Sequence, residues 1–303
     1  MDVNFFKKVR ILDGGMGQEL LARGMRPQGT LWSATAILNE KYHKLLYDTH
    51  VDYIKAGAEV IVTTTFASRK IRLRENNVED KFEYLNKKAG ELAKKTKEIY
   101  PDILIAGGLP PQNLTYKEDG RSSDEISQDF YEHAKLLNPY SDFFYLDVIS
   151  SIKELELAIK SIHEFKKPYL IGAHISQGKT MPSGEKISDI IRNKKKENLL
   201  GLILSCVSPE NFQLNLNELK NLGVPFGFKL NSYIKTNPFP NLDEHEKNKK
   251  SVDPKEFLGT RKDLTPKKMA EFAKKFKDSG ATILGGCCET SPKHIQEFSK
   301  LLK

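Results

Sequence analysis

"LGLILSCVSPENFQLNLNELKNLGVPFGFKL", residues 200–230, reads as one complete strand–helix–strand unit. Two apolar runs, 200–206 and 224–230, flank a polar, amphipathic stretch of helical length. Gly223 stands where a helix takes a left-handed stop before the next strand. Strands that are apolar at nearly every position are buried on both faces, as in a parallel sheet covered by helices. The unit recurs in both directions. β-like runs at 9–13, 58–65, 102–108, 142–148 and 168–175 precede it, and 281–286 follows, so that eight are present. Helical stretches between them include 40–57, 122–138 and 265–280, and Gly57 and Gly280 close two of them in the same manner. The chain ends on "SPKHIQEFSKLLK", where Ser-Pro opens another helix. Eight such repeats in 303 residues predict an α/β fold, a single (β/α)8 TIM barrel over 1–303 with its active site at the C-terminal rim of the strands. The rival is a doubly wound open sheet. No composition shift marks a domain linker, and 231–263 reads as an extended loop after the seventh strand.

Hydrophobic residues make up 39% and charged residues 29%, which suits a soluble protein with a sizeable core. The longest apolar run, 199–207, is far short of the ~20 residues of a membrane-spanning helix. The N-terminus lacks a signal-peptide layout, so a cytoplasmic location is expected. The net charge of +8 comes mostly from lysine-rich tracts at 192–198 and 245–255. Acidic residues interrupt these tracts and no aromatics interleave them, so they read as solvated faces. Neither nucleic acid nor membrane is expected as a partner.

Placed on a barrel, the chemically unusual residues gather at one end. Asp13 ends the first strand, Thr63, Thr64 and Thr65 the second, and Asp147 the fourth. Cys206 ends the sixth, Asn231 follows the seventh, and Cys287 and Cys288 follow the eighth. These three cysteines are the chain's whole complement, and only the seventh strand separates their positions. A lone cysteine is usually a small buried hydrophobe. Three converging at one rim form a soft donor set that selects zinc and leaves a fourth position open for catalysis.

Several segments resemble the homocysteine S-methyltransferase family: "ILDGGMGQELLARG" (11–24), "LWSATAILNE" (31–40), "AGAEVIVTTTFAS" (56–68), the cysteine closing "GLILSC", and "GATILGGCCETSPKHI" (280–295). They run from the first strand to the last helix. The resemblance implies Zn2+ held by Cys206, Cys287 and Cys288, with the homocysteine thiol taking the remaining position. It implies substrate contacts from Asp13 and the backbone of Gly14 and Gly15. Asp147 falls where the family usually has a glutamate for the substrate ammonium, one methylene longer. Thr64 and Thr65 fall at the pocket wall. Trp32, with Phe66 beside it, falls where an aromatic face would meet an onium methyl donor, and Asn231 falls where simpler members carry Pro-Asn.

The implied function is methyl transfer from betaine, S-methylmethionine or a related dimethylsulfonio compound to homocysteine, giving methionine. Two other readings stay open: a different thiol or selenol acceptor on the same scaffold, and a non-catalytic barrel binding zinc or a metabolite. The segments "GGLPPQNLTYKEDG" (107–120) and 238–257 depart from the family pattern. The methyl donor and any homo-oligomer are therefore left open.

Overall fold

The computed structural model describes residues 1–192, 197–235 and 258–302. Eight parallel strands lie in the order β1-β8-β7-β6-β5-β4-β3-β2. They are β1 (Arg10–Ile11), β2 (Val60–Val62), β3 (Leu104–Leu109), β4 (Phe143–Ile149), β5 (Tyr169–Ala173), β6 (Leu199–Val207), β7 (Phe226–Leu230) and β8 (Ile283–Gly286). The predicted barrel is the observed one, and the open-sheet alternative is excluded by its closure. That closure between β1 and β2 rests on a single parallel bridge, Leu12 with Val60. It is reinforced by the Asp13 N–H to Val60 O at 3.0 Å and the Val62 N–H to Asp13 Oδ2 at 2.8 Å. A carboxylate thus continues the ladder where the backbone leaves it, which is why β1 is shorter than the apolar run at 9–13. β2 likewise stops before the threonines, because the Thr65 N–H turns back to Thr63 O at 2.8 Å.

Helices cover the strands, among them Met16–Ala22, His43–Lys55, Phe82–Lys95, Ser123–Leu137, Ile152–Ile162, Pro209–Lys220, Pro266–Asp278 and Pro292–Ser299. Ser122, Ser151, Ser208 and Thr265 cap four of them, each side chain accepting a first-turn N–H. Gly57, Gly223 and Gly280 adopt the left-handed φ expected of helix stops. The core forms two layers. Leu146, Phe212, Phe228, Phe276 and Phe298 lie between strands and helices. Leu12, Val60, Phe143, Tyr145, Leu170, Ile203 and Ile283 fill the barrel itself. Phe6 packs edge-on to Phe143, the first residue of β4, and plugs the N-terminal end. The opposite end opens on a cavity where polar and sulfur side chains stand among apolar ones. Among the described residues no helix is long and apolar enough to cross a membrane. Most of the loop expected at 231–263 lies outside the described residues, as do residues 193–196 of the first lysine tract and the whole of the second. At the described ends of that loop, Tyr233 and Thr260 form an antiparallel bridge.

Candidate active site and metal centre

The cysteines converge as their strand order predicts. Cys206 Sγ lies 3.8 Å from Cys288 Sγ, and Cys287 Sγ lies 3.9 Å from Cys288 Sγ. All three sulfurs fall within 4.8 Å of one another. Metal–sulfur bonds of ~2.3 Å in a tetrahedron set sulfurs about 3.8 Å apart, so the donor set fits an ion of that size.

Backbone irregularities create this geometry. At Cys206 the φ is +55° and the β6–β7 register shifts between Ser205 and Val207. Successive residues of a regular strand point to opposite faces. Here Ser205 bonds the Tyr145 hydroxyl inside the barrel, yet Cys206 also lines the cavity above it. The bulge is what turns both inward. On β4 the same device recurs at Val148, with φ +58° and a register shift between Leu146 and Ile149. There it leaves Asp147 and Val148 side by side on the cavity wall.

After β8, the Cys287 N–H bonds Leu230 O at 2.7 Å and the Cys287 carbonyl accepts from Thr290 Oγ1 at 2.6 Å. The glycines around this turn are required by contact. A Cβ on Gly15 would sit 2.4 Å from Cys287 O, and one on Gly286 2.2 Å from Thr290 Oγ1.

The thiols share their protons. Hydrogen bonds from Cys287 and Cys288 hold the Cys206 thiol well below its ordinary range, and Cys206 in turn pushes both of the others up. Full ionisation of such a cluster calls for a cation. Around it Val148, Tyr233, Leu258, Trp32, Phe66 and Tyr116 form an apolar shell. The Tyr116 hydroxyl lies 3.4 Å from Cys206 Sγ.

The other expected site residues have distinct placements. Asp13 lines the cavity, but its Oδ1 accepts from Lys229 Nζ at 2.7 Å and its Oδ2 from Val62 N–H. Asp147 also lines it, and burial pushes its carboxyl up to about 6 against the pull of Lys229 and Tyr145. Gly14 and Thr64 are on the wall, with Thr64 Oγ1 3.3 Å from His50 Nε2. Gly15 is there too, although its N–H already serves Thr290 O and Oγ1. Thr65 is drawn aside, donating to Gly108 O at 2.7 Å. Trp32 and Phe66 meet edge to face, with centroids 6.2 Å apart. Asn231 stands behind the cysteine cluster, its Nδ2 donating to Cys206 O at 2.6 Å and lying 3.6 Å from Cys206 Sγ.

Sequence reasoning missed Lys229, Tyr116, Gln18 and Tyr233. Gln18 Nε2 donates to the Tyr233 hydroxyl at 2.7 Å, and its Oε1 has no partner among the described residues. Lys229 was legible, since a lysine within the apolar run "VPFGFKL" must find a buried partner. Nothing in sequence marked the loop residue Tyr116.

A family model described as homocysteine S-methyltransferase matches residues 10–302. The chain is 27% identical to homocysteine S-methyltransferase 1 of Saccharomyces cerevisiae, covering 96% of this chain and 93% of that protein. It is 23% identical to homocysteine S-methyltransferase of Escherichia coli, over 95% of this chain and 93% of that one. The metallated form of the E. coli homocysteine methyltransferase MmuM superposes with a TM-score of 0.78 at 20% identity, covering 97% and 96% of the two chains. That likeness shows a shared barrel.

Proposed function

This chain belongs to the homocysteine S-methyltransferase family, and on that premise we propose that it is a zinc-dependent enzyme moving a methyl group from a small sulfonium or ammonium donor to homocysteine, giving methionine. The observation that carries the reading is the triangle of sulfurs at the barrel mouth, with edges of 3.8 and 3.9 Å between Cys288 and its two partners. Three thiolates are a soft donor set suited to zinc, and they leave one position for a substrate thiol. Bound there, zinc would supply the Lewis acidity that keeps a thiol, ordinarily protonated at neutral pH, in its nucleophilic form.

The chain's own residues do the rest. Asp147 takes the substrate ammonium through a charge-assisted hydrogen bond, with the unpaired Gln18 Oε1 as a further acceptor on the same cavity. Asn231 fixes the Cys206 backbone and so the direction of its sulfur. Trp32, Phe66 and Tyr116 exclude water and offer aromatic faces to an onium methyl. In the transfer, the substrate sulfur's electron pair forms the S–CH3 bond and the donor's C–S or C–N bond breaks. Its electron pair leaves with a neutral sulfide or amine, while the thiol proton passes to solvent. The reduced cysteines and this chemistry suit a cytosolic setting.

Purified, zinc-loaded protein should form methionine from homocysteine with betaine, S-methylmethionine or dimethylsulfonioacetate, and no product with any donor overturns the activity. About one zinc per chain is expected by elemental analysis, lost on Cys206→Ser or Cys287→Ser. Asp147, shorter than the family's usual glutamate, favours one second reading, a different thiol or selenol acceptor. Competition between acceptors at a fixed donor separates the two.

A further inference from the structure

Lys229 projects from β7 into the barrel interior, 6% exposed, and lines the same cavity as the cysteines. A buried ammonium is expensive unless its charge is balanced and its donors are used. Its charge is balanced. Burial alone would lower the Lys229 pKa, yet Asp13 and Asp147 outweigh it and hold the group protonated. Its donors are not fully used. An ammonium has three N–H groups, and among the described residues Lys229 Nζ makes one hydrogen bond, to Asp13 Oδ1 at 2.7 Å.

The floor of the cavity therefore holds two carboxylates and one ammonium. Asp13 is committed on both oxygens, to Lys229 and to the Val62 N–H that helps close the barrel. Asp147 lines the same cavity and feels the Lys229 charge, but among the described residues it makes no direct ion pair. This pattern, one anion and one cation with spare donors on one cavity floor, is the complement of an α-amino acid head group, which carries one ammonium and one carboxylate. A floor with Asp13 and Asp147 alone would repel the substrate carboxylate.

We propose that Lys229 is a specificity-determining residue that binds the α-carboxylate of the acceptor, so that the site reads both ends of an amino-acid zwitterion through side-chain charge. The proposal rests on the methyltransferase reading above and deepens it: the acceptor class is a thiol that carries a free α-carboxylate. Asp13 acts as the tether that holds the ammonium in place.

The test compares L-homocysteine with 3-aminopropane-1-thiol, which lacks only the carboxylate, by calorimetric binding to the zinc-loaded protein. A charge-assisted hydrogen bond predicts that the wild-type protein binds homocysteine roughly tenfold or more tightly. Lys229→Gln alone leaves Asp13 buried and unpaired, which threatens folding, so it is paired with Asp13→Asn, which removes both charges together. In that double variant the two thiols should bind within about threefold of each other, with the loss falling on homocysteine. A wild-type ratio near one, or a ratio that survives in the double variant, overturns the proposal. A purely structural role for Lys229 would weaken both ligands alike and leave the ratio unchanged. Methylation of homocysteine by the wild-type protein, measured alongside, keeps the two claims separate. Turnover with an unchanged ratio sinks only the carboxylate site, whereas absence of turnover and of homocysteine binding sinks the underlying function.

Discussion

Gly17 offers a way to move one wall of the cavity without altering the three cysteines. It lies in the first turn of the helix Met16–Ala22. A Cβ there would stand 2.2 Å from Trp32 Cζ2 and 2.3 Å from Cε2. Carbon atoms rest at about 3.5–4.0 Å, so Gly17→Ala forces the indole to retreat by roughly 1.5 Å. Helix propensity favours the alanine by about 1 kcal/mol and overpacking costs about 1–3 kcal/mol, so the fold survives with a modest net loss.

The retreat breaks the edge-to-face contact with Phe66 and withdraws the aromatic face assigned to the onium donor. That face is worth roughly 0.5–2 kcal/mol, which is about 2- to 30-fold in kcat/KM for the donor. The assay varies donor at saturating homocysteine and follows intrinsic fluorescence in parallel. Trp32 is the chain's one tryptophan, so its emission reports the displacement directly. Altered fluorescence with an unchanged donor kcat/KM refutes the donor-wall assignment. Unchanged fluorescence refutes the steric argument itself.

Two further outcomes follow from buried polar groups. Asn231→Ala removes the amide that holds Cys206 O and lies beside its sulfur, and should weaken zinc binding about 10- to 100-fold in a chelator competition, with the fold intact by circular dichroism. Glu154 is buried with no partner for Oε1 among the described residues, and burial pushes its carboxyl from 4.5 up to about 8. The folded state therefore holds a proton that the unfolded state releases, so Glu154's contribution to stability is fullest below pH 4.5 and is lost as pH rises through about 8. The fall amounts to on the order of 5 kcal/mol at most. Glu154→Gln should flatten it, read as urea midpoints at pH 5.5 and 8.5 that lie closer together than in the wild type.

The barrel was legible because its signals are local and repeated. Apolar runs such as 200–206, helix-length polar stretches and the stop glycines each carry their own physical cause. Cysteine convergence was legible one step later, since strand order in a barrel places the ends of β6 and β8 on either side of β7. What the residues did not reveal were the long-range pairings that assign each group its task. The pairing of Asp13 with Lys229 spans 216 positions, and it makes an expected substrate ligand part of the barrel's closure. Thr65 gave no hint that its hydroxyl would serve Gly108 O rather than the cavity. Such assignments depend on which carbonyls the ladders leave free, and register shifts decide that only after the sheet is assembled.

Asn231 shows how those shifts and the chemistry are linked. A bulge at Cys206 turns its sulfur toward Cys287 and Cys288 but takes carbonyls out of the β6 ladder, and a buried carbonyl without a donor is costly. The left-handed φ of a non-glycine residue adds about 1–3 kcal/mol of strain. Both costs are met by neighbours. Ser205 O pairs with His174 Nδ1 at 3.0 Å, and Cys206 O accepts from Asn231 Nδ2 at 2.6 Å. A carbonyl can only accept, so His174 must carry its proton on Nδ1. Burial lowers the His174 pKa, consistent with that neutral tautomer. β7 closes the arrangement with the Asn231 N–H on Val207 O at 2.9 Å, just past the bulge. The residue after β7 is therefore an asparagine for a definable reason. It needs a backbone N–H to resume the ladder and a side-chain N–H of the right reach to satisfy the carbonyl that the bulge at Cys206 displaced. An aspartate of the same shape would set an acceptor against an acceptor at that point and release the very bulge that aims Cys206.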